Sequence, residues 1–136
     1  MKSKIFLLLC LLACVTVRAQ DIDITGTWTM FEMTWTNGQD INTTTEDQLK
    51  SQGQSSDYFI MPDGKFKMVS NMTGSGNLET YEGTWKLEGD KLTFGIQMGE
   101  NMRDIIWDFE FNDNVMNLKR TSPDGSISVV NRFKKN

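Results

Sequence analysis

From Thr25 onward the chain alternates apolar and polar residues in short runs, each closed by turn residues. That period of two is the pattern of half-buried strands. The runs are Thr25–Thr36, Asp57–Met61, Lys65–Ser70, Leu78–Leu87, Lys91–Met98, Arg103–Phe111, Val115–Thr121 and Ser126–Lys134. Between them stand Asn37-Gly38, Pro62-Asp63-Gly64, a Gly/Ser loop over Asn71–Asn77, Glu88-Gly89-Asp90, Gly99–Met102, Asn112-Asp113-Asn114 and Ser122-Pro123-Asp124-Gly125. Only Thr43–Gln54 breaks the rhythm. There Thr45 precedes Glu46, Asp47, Gln48, Leu49 and Lys50, the form of a capped short helix, ended by Gly53.

Tight turns join antiparallel neighbours, so the default arrangement is a meander. Eight meandering strands leave two exposed edges unless the sheet closes on itself. The predicted fold is therefore all-β: an eight-stranded antiparallel up-and-down barrel with one short helix between the first and second strands. A β-sandwich needs long crossing connections that this chain mostly lacks.

The alternation also assigns faces. Tyr81, Gly83, Trp85 and Leu87 share one side of their strand, as do Leu92, Phe94, Ile96 and Met98, then Ile105, Trp107, Phe109 and Phe111. Phe66, Met68, Met116, Leu118, Ile127, Val129 and Phe133 continue this inner set, and Ile106 falls out of pattern. The first strand is ambiguous, because Trp28 and Met30 share one parity while Phe31, Met33 and Trp35 share the other. A bulge between Met30 and Phe31 would bring all five inside.

Several pieces of this pattern resemble the small bacterial lipocalin-like domains, especially those exported by Bacteroidetes. They are Ile24-Thr25-Gly26-Thr27-Trp28, Met61-Pro62-Asp63-Gly64-Lys65-Phe66, Tyr81-Glu82-Gly83-Thr84-Trp85-Lys86-Leu87 followed by Gly89-Asp90-Lys91-Leu92-Thr93-Phe94, and the closing Asn131-Arg132-Phe133-Lys134-Lys135. Their order and spacing, more than any one piece, carry the resemblance. It implies that Gly26 and Trp28 close the barrel floor, with a basic residue of the last strands over the indole. Arg120 or Arg132 would fill that place, a cation–π contact of about 0.5–2 kcal/mol. The chain departs from larger lipocalins in being short, without the long loops that build a deep open end.

The N-terminal residues have a different character. Lys2 and Lys4 precede a 13-residue apolar run, Ile5 to Val17, and Val17-Arg18-Ala19 places small residues for cleavage before Gln20. Residues 1–19 thus read as a signal peptide and 20–136 as one barrel domain, exported to the periplasm or secreted. An alternative is a lipid anchor at Cys14, since Leu11-Leu12-Ala13-Cys14 resembles a lipobox. Cleavage removes both cysteines, Cys10 and Cys14, and with them any disulfide. Taking Lys2, Lys4 and Arg18 from the fourteen Lys and Arg leaves eleven against eighteen Asp and Glu, a formal charge of −7. That charge argues against nucleic acid and anionic membrane surfaces as partners, and no second apolar stretch reaches the length of a membrane span.

The chain contains no histidine. Ser–His and Cys–His catalysis and a His/Cys metal site are excluded, and no cofactor is implied. Asp108 and Glu110 share a face, but it is the outer one, where solvated charge is the ordinary case. The expectation is a protein that is not an enzyme.

What the sequence does offer is a lining. Of nine methionines, eight follow the leader, at positions 30, 33, 61, 68, 72, 98, 102 and 116. Met-rich, aromatic walls suit adaptable binding of apolar molecules. The candidate lining is Met30, Met68, Trp85, Phe94, Trp107, Phe109 and Met116, with a mobile entrance formed by Thr43–Gln54 and Asn71–Asn77. A barrel of eight strands can equally be plugged by its own side chains. Two readings stay open: binding of a small hydrophobic ligand, or a solid-core barrel acting as a protein-binding or inhibitor-like module of the cell envelope.

Overall fold

The computed structural model describes residues 22–136; the expected signal peptide and the alternative anchor at Cys14 lie outside them. The long strand β1 (Gly26–Asn37) turns at Gly38 into β2 (Asp40–Thr44), and α1 (Glu46–Ser51) comes next. β3 (Ser55–Ile60), β4 (Lys65–Asn71), β5 (Glu79–Glu88), β6 (Lys91–Met98), β7 (Asn101–Asn112), β8 (Val115–Thr121) and β9 (Ile127–Lys135) then run as an antiparallel meander. Pairing of β1 with β9 closes β1 and β3–β9 into an eight-stranded barrel.

β2 adds a flap to this plan. β1 pairs with β3 over Gly26–Thr29, then leaves it and pairs with β2 over Met33–Asn37. Nothing in the apolar pattern announces β2, because four of its five residues are exposed and it has no inward side. Its ladder and a 3.1 Å contact between the Thr34 and Thr43 hydroxyls hold it. α1 lies beyond it, with the expected cap: the Thr45 hydroxyl accepts from the Gln48 amide, and the Gln48 side chain accepts from the Thr45 amide. Its Leu49 is buried in the core. The turn expected at Gly99–Met102 is shorter in the structure, since β7 already begins at Asn101.

The bulge in β1 is real, with one correction to its consequence. Met30 pairs with Phe133 and Glu32 with Arg132, so Phe31 is the extra residue. Trp28, Met30, Met33 and Trp35 take the parity of the inner face. Phe31 faces outward beside Glu32, because an inserted residue shifts parity only for the residues beyond it. Arg132 Nη1 donates to Glu32 Oε1 at 2.9 Å, and the Arg132 guanidinium carbon and Lys134 Nζ lie 5.5 and 5.9 Å from the Phe31 ring centre.

Two tryptophans finish the closed end. Trp28, 1 % exposed, donates its indole N–H to the Ile24 carbonyl at 2.8 Å and meets Phe111 edge-on. The cation over its ring is Lys135, at 5.6 Å, and neither arginine expected there. Register explains this: Lys135 is the Cα partner of Trp28, Arg132 faces outward, and Arg120 sits at the far end of β8, 5.4 Å from the Trp107 ring centre. Trp85 donates its indole N–H to the Met61 carbonyl at 2.7 Å, which ties β5 to the β3–β4 hairpin.

Above this floor the barrel is solid. Tyr58 lies 4.4, 5.2 and 5.5 Å from the ring centres of Phe133, Phe66 and Phe94. Phe66 and Phe94 stack over the inner face of β5, where Gly83 leaves space. Gly83 is required by its other neighbour too: a Cβ there would lie 1.7 Å from the Gly95 carbonyl oxygen of β6.

Candidate functional site

Exposure along the inner face rises from one end of the barrel to the other. On β6, Leu92, Phe94 and Ile96 are 0, 1 and 5 % exposed, and Met98 is 48 %. β7 runs the opposite way, from buried Phe109 and Trp107 through half-buried Ile105 to exposed Arg103. On β8 the series is Met116, Leu118, Arg120, the last exposed. On β9 it is Phe133, Asn131, Val129, Ile127, and on β1 it is Trp28, Met30, Met33, Trp35. Five strands thus agree that the barrel is packed at the Trp28 end and open at the other.

The open end contains a cavity of about 340 Å³ between β4, β5, β6 and β7. Met68, Met72, Tyr81, Met98 and Ile105 supply its apolar wall, and Ser70, Glu79 and Arg103 its polar edge. All but Met72, which lies just past the end of β4, have inner parity. Recesses of about 420 and 490 Å³ lie elsewhere, but they are grooves in the outer wall between charged side chains such as Asp108, Glu110, Lys119 and Arg132, or Lys65, Lys67 and Glu82.

The residues named from sequence separate by depth. Met68 lines the cavity. Trp107 is buried beneath the mouth, under the Arg120 guanidinium. Met30, Phe94, Phe109 and Met116 lie deeper still, within the packed core. Trp85 is half-buried at the closed end. Arg103, Asn131 and Tyr58 are inner residues that the sequence reading did not single out; extending the β7 alternation past Ile105 would have reached Arg103.

Polar chemistry in the mouth is sparse. The Tyr81 hydroxyl donates to Glu79 Oε2 at 3.2 Å, and the nearby Glu79 charge raises the Tyr81 pKa. Burial pushes the Tyr58 phenol well above the ordinary tyrosine value, and the Arg120 charge opposes that shift. Asn131 Oδ1 is buried without a hydrogen-bond partner among the described residues. On the outer wall Asp108 pairs with Lys91, and among the described residues no three acidic side chains gather as a metal site.

The two entrance segments hold one another. Gln54 Nε2 donates to the Met72 carbonyl at 2.7 Å and Asn71 Nδ2 to the Gly53 carbonyl at 3.2 Å. Gly74, at φ +68°, comes so close to Gln52 that a Cβ would lie 2.3 Å from its carbonyl oxygen. The segments expected to form a mobile entrance are thus tied to one another on one side of the mouth.

A family profile described as the lipocalin-like domain matches residues 24–118, most of the barrel. The chain belongs to the lipocalin-like domain family. Solved structures agree on the fold. A lipocalin-like protein from Bacteroides uniformis superposes with a TM-score of 0.54 at 15 % identity, covering 85 % of this chain and 100 % of that one. An uncharacterized protein from Bacteroides eggerthii superposes with a TM-score of 0.53 at 15 % identity, covering 84 % and 100 %. No curated protein matches the chain. At that identity the likeness is one of fold.

Proposed function

We propose that this lipocalin-like domain is an exported binding protein, not an enzyme, that holds a small hydrophobic molecule in the mouth of the barrel. The observation that carries the reading is the rise in exposure along the inner faces of β1, β6, β7, β8 and β9. Apolar side chains that point inward yet remain wet, Met98 and Trp35 among them, leave surface that a guest would bury. Each square ångström removed from water contributes about 25 cal/mol. The packed aromatic layer below fixes how deep the guest reaches, with Trp107 as the floor. Export rests on the leader pattern of residues 1–19.

A neutral, environment-sensitive dye, N-phenyl-1-naphthylamine, tests the reading. Saturable enhancement at one dye per chain is expected, abolished by Met68→Trp, which fills the cavity, with the melting temperature preserved. Absence of saturable binding by the folded protein, or binding indifferent to Met68→Trp, would overturn it.

A further inference from the structure

We infer that β2 is an association edge whose partner is a second copy of this chain, paired β2 to β2 about a two-fold axis through Asn42. The inference is independent of what the barrel holds. Its ground is the one strand that the closed sheet leaves over.

Among the described residues β1 and β3–β9 each have a neighbouring strand on both sides, whereas β2 has only β1. Four of the five β2 residues are exposed, so its other edge lies open. Register says which backbone groups stand on that edge. The Gly38 amide donates to the Ser126 carbonyl at 3.1 Å, toward β9. Backbone groups alternate sides along a strand, so Asn37, Trp35 and Met33 turn theirs toward β2, where Asp40, Asn42 and Thr44 are their Cα partners. The amides and carbonyls of Ile41 and Thr43 therefore point away from β1.

Sheet edges are commonly guarded by Lys, Pro or a bulge. Asp40–Thr44 has none of these. Ile41 is 68 % exposed, more than any other large apolar residue among those described. Its outer-face surroundings, Thr34, Thr36 and Thr43 on the hairpin and Ser128 and Val130 on β9, carry no charge. On a chain with a formal charge of −4, an uncharged patch is where a second copy meets least repulsion.

The edge also fits itself. In an antiparallel pair centred on Asn42, Ile41 of each copy faces Thr43 of the other. These two pairs exchange four hydrogen bonds, which uses every outward group of both Ile41 and Thr43. Asp40, the one charge on β2, then faces Thr44 and not its own copy. Sliding the strands by two residues would leave half of those groups without a strand partner. The contact is isologous and consumes the open edge, so it closes at two and builds no fibre. Five residues a side bury less than the standard interface of about 1,600 Å², so the dimer is weak, with a dissociation constant on the order of 10⁻⁴ M.

Sedimentation equilibrium of the whole protein, taken to about ten times that concentration, is expected to show monomer and dimer in exchange. Ile41→Pro removes an outward amide and leaves the ladder to β1 intact. It should weaken association at least about tenfold, with the melting temperature preserved. Disulfide trapping reads the register in a C10S/C14S background, where the introduced thiol is the only one. Residues on the axis face each other at about 4.5 Å between Cα atoms, within disulfide range, so diamide should link N42C into a dimer. I41C lies about 7–8 Å from its own copy and should stay unlinked. Equal linking of N42C and I41C, or an Ile41→Pro dimer as tight as the wild type, would overturn the inference. So would a wild type that stays monomeric throughout, which would leave the edge to an extended segment of another protein.

Discussion

Phe66 and Phe94 stack across the barrel, their ring centres 4.0 Å apart and their planes inclined by 22°. Both are 2 % exposed or less. With Tyr58 against both and Phe133 behind Tyr58 they close the cross-section, and they divide the packed lower half from the open end.

This layer carries stability. Phe94→Ala removes a buried ring from a site hemmed in by Tyr58 and Phe66, and is expected to cost about 3–5 kcal/mol. Urea unfolding followed by tryptophan fluorescence checks it. A loss below about 1 kcal/mol would mean that the layer is loose enough to admit a guest.

Asn131 is expected to behave in the opposite way. Its Oδ1 is buried without a donor among the described residues, and replacing an unsatisfied polar group by an apolar one of similar shape is neutral or stabilising. Asn131→Leu should therefore be as stable as the wild type or more stable by about 1 kcal/mol, measured by the same urea titration. A large loss would show that the amide has a partner in solution.

Alkaline pH should destabilise the fold through Tyr58. Burial raises its folded pKa above the unfolded value, which is about 10. Below that value both states are protonated and the stabilising contribution is complete. Above it the unfolded chain sheds the proton first, so stability falls as pH rises toward the folded pKa. Tyr58→Phe should flatten the dependence of stability on pH above about 10 relative to wild type. Parallel curves for the two proteins would contradict the assignment.

Much of this architecture was legible because β4–β9 each obey a period of two with large apolar residues on one side, so the faces of Phe94, Trp107 and Phe133 were plain. β2 was hidden because Asp40–Thr44 has no inward side to pattern. The outward turn of Phe31 and the placing of Lys135 on Trp28 depend on the register of β1 against β9, a pairing of residues about a hundred positions apart. Depth was illegible for a different reason. Met98 at the wet rim and Met116 in the dry core are the same residue at the same parity. Alternation reports the face of a strand and says nothing of how far along it the packing ends.

The methionine methyl groups read that depth directly. With ε-methyl-labelled protein, N-phenyl-1-naphthylamine titrated to saturation is expected to shift the resonances of Met68, Met72 and Met98, which line the cavity. Those of Met30 and Met116, buried in the core, should stay unmoved. Shifts at Met30 and Met116 without shifts at Met68, Met72 and Met98 would contradict a guest seated in the mouth.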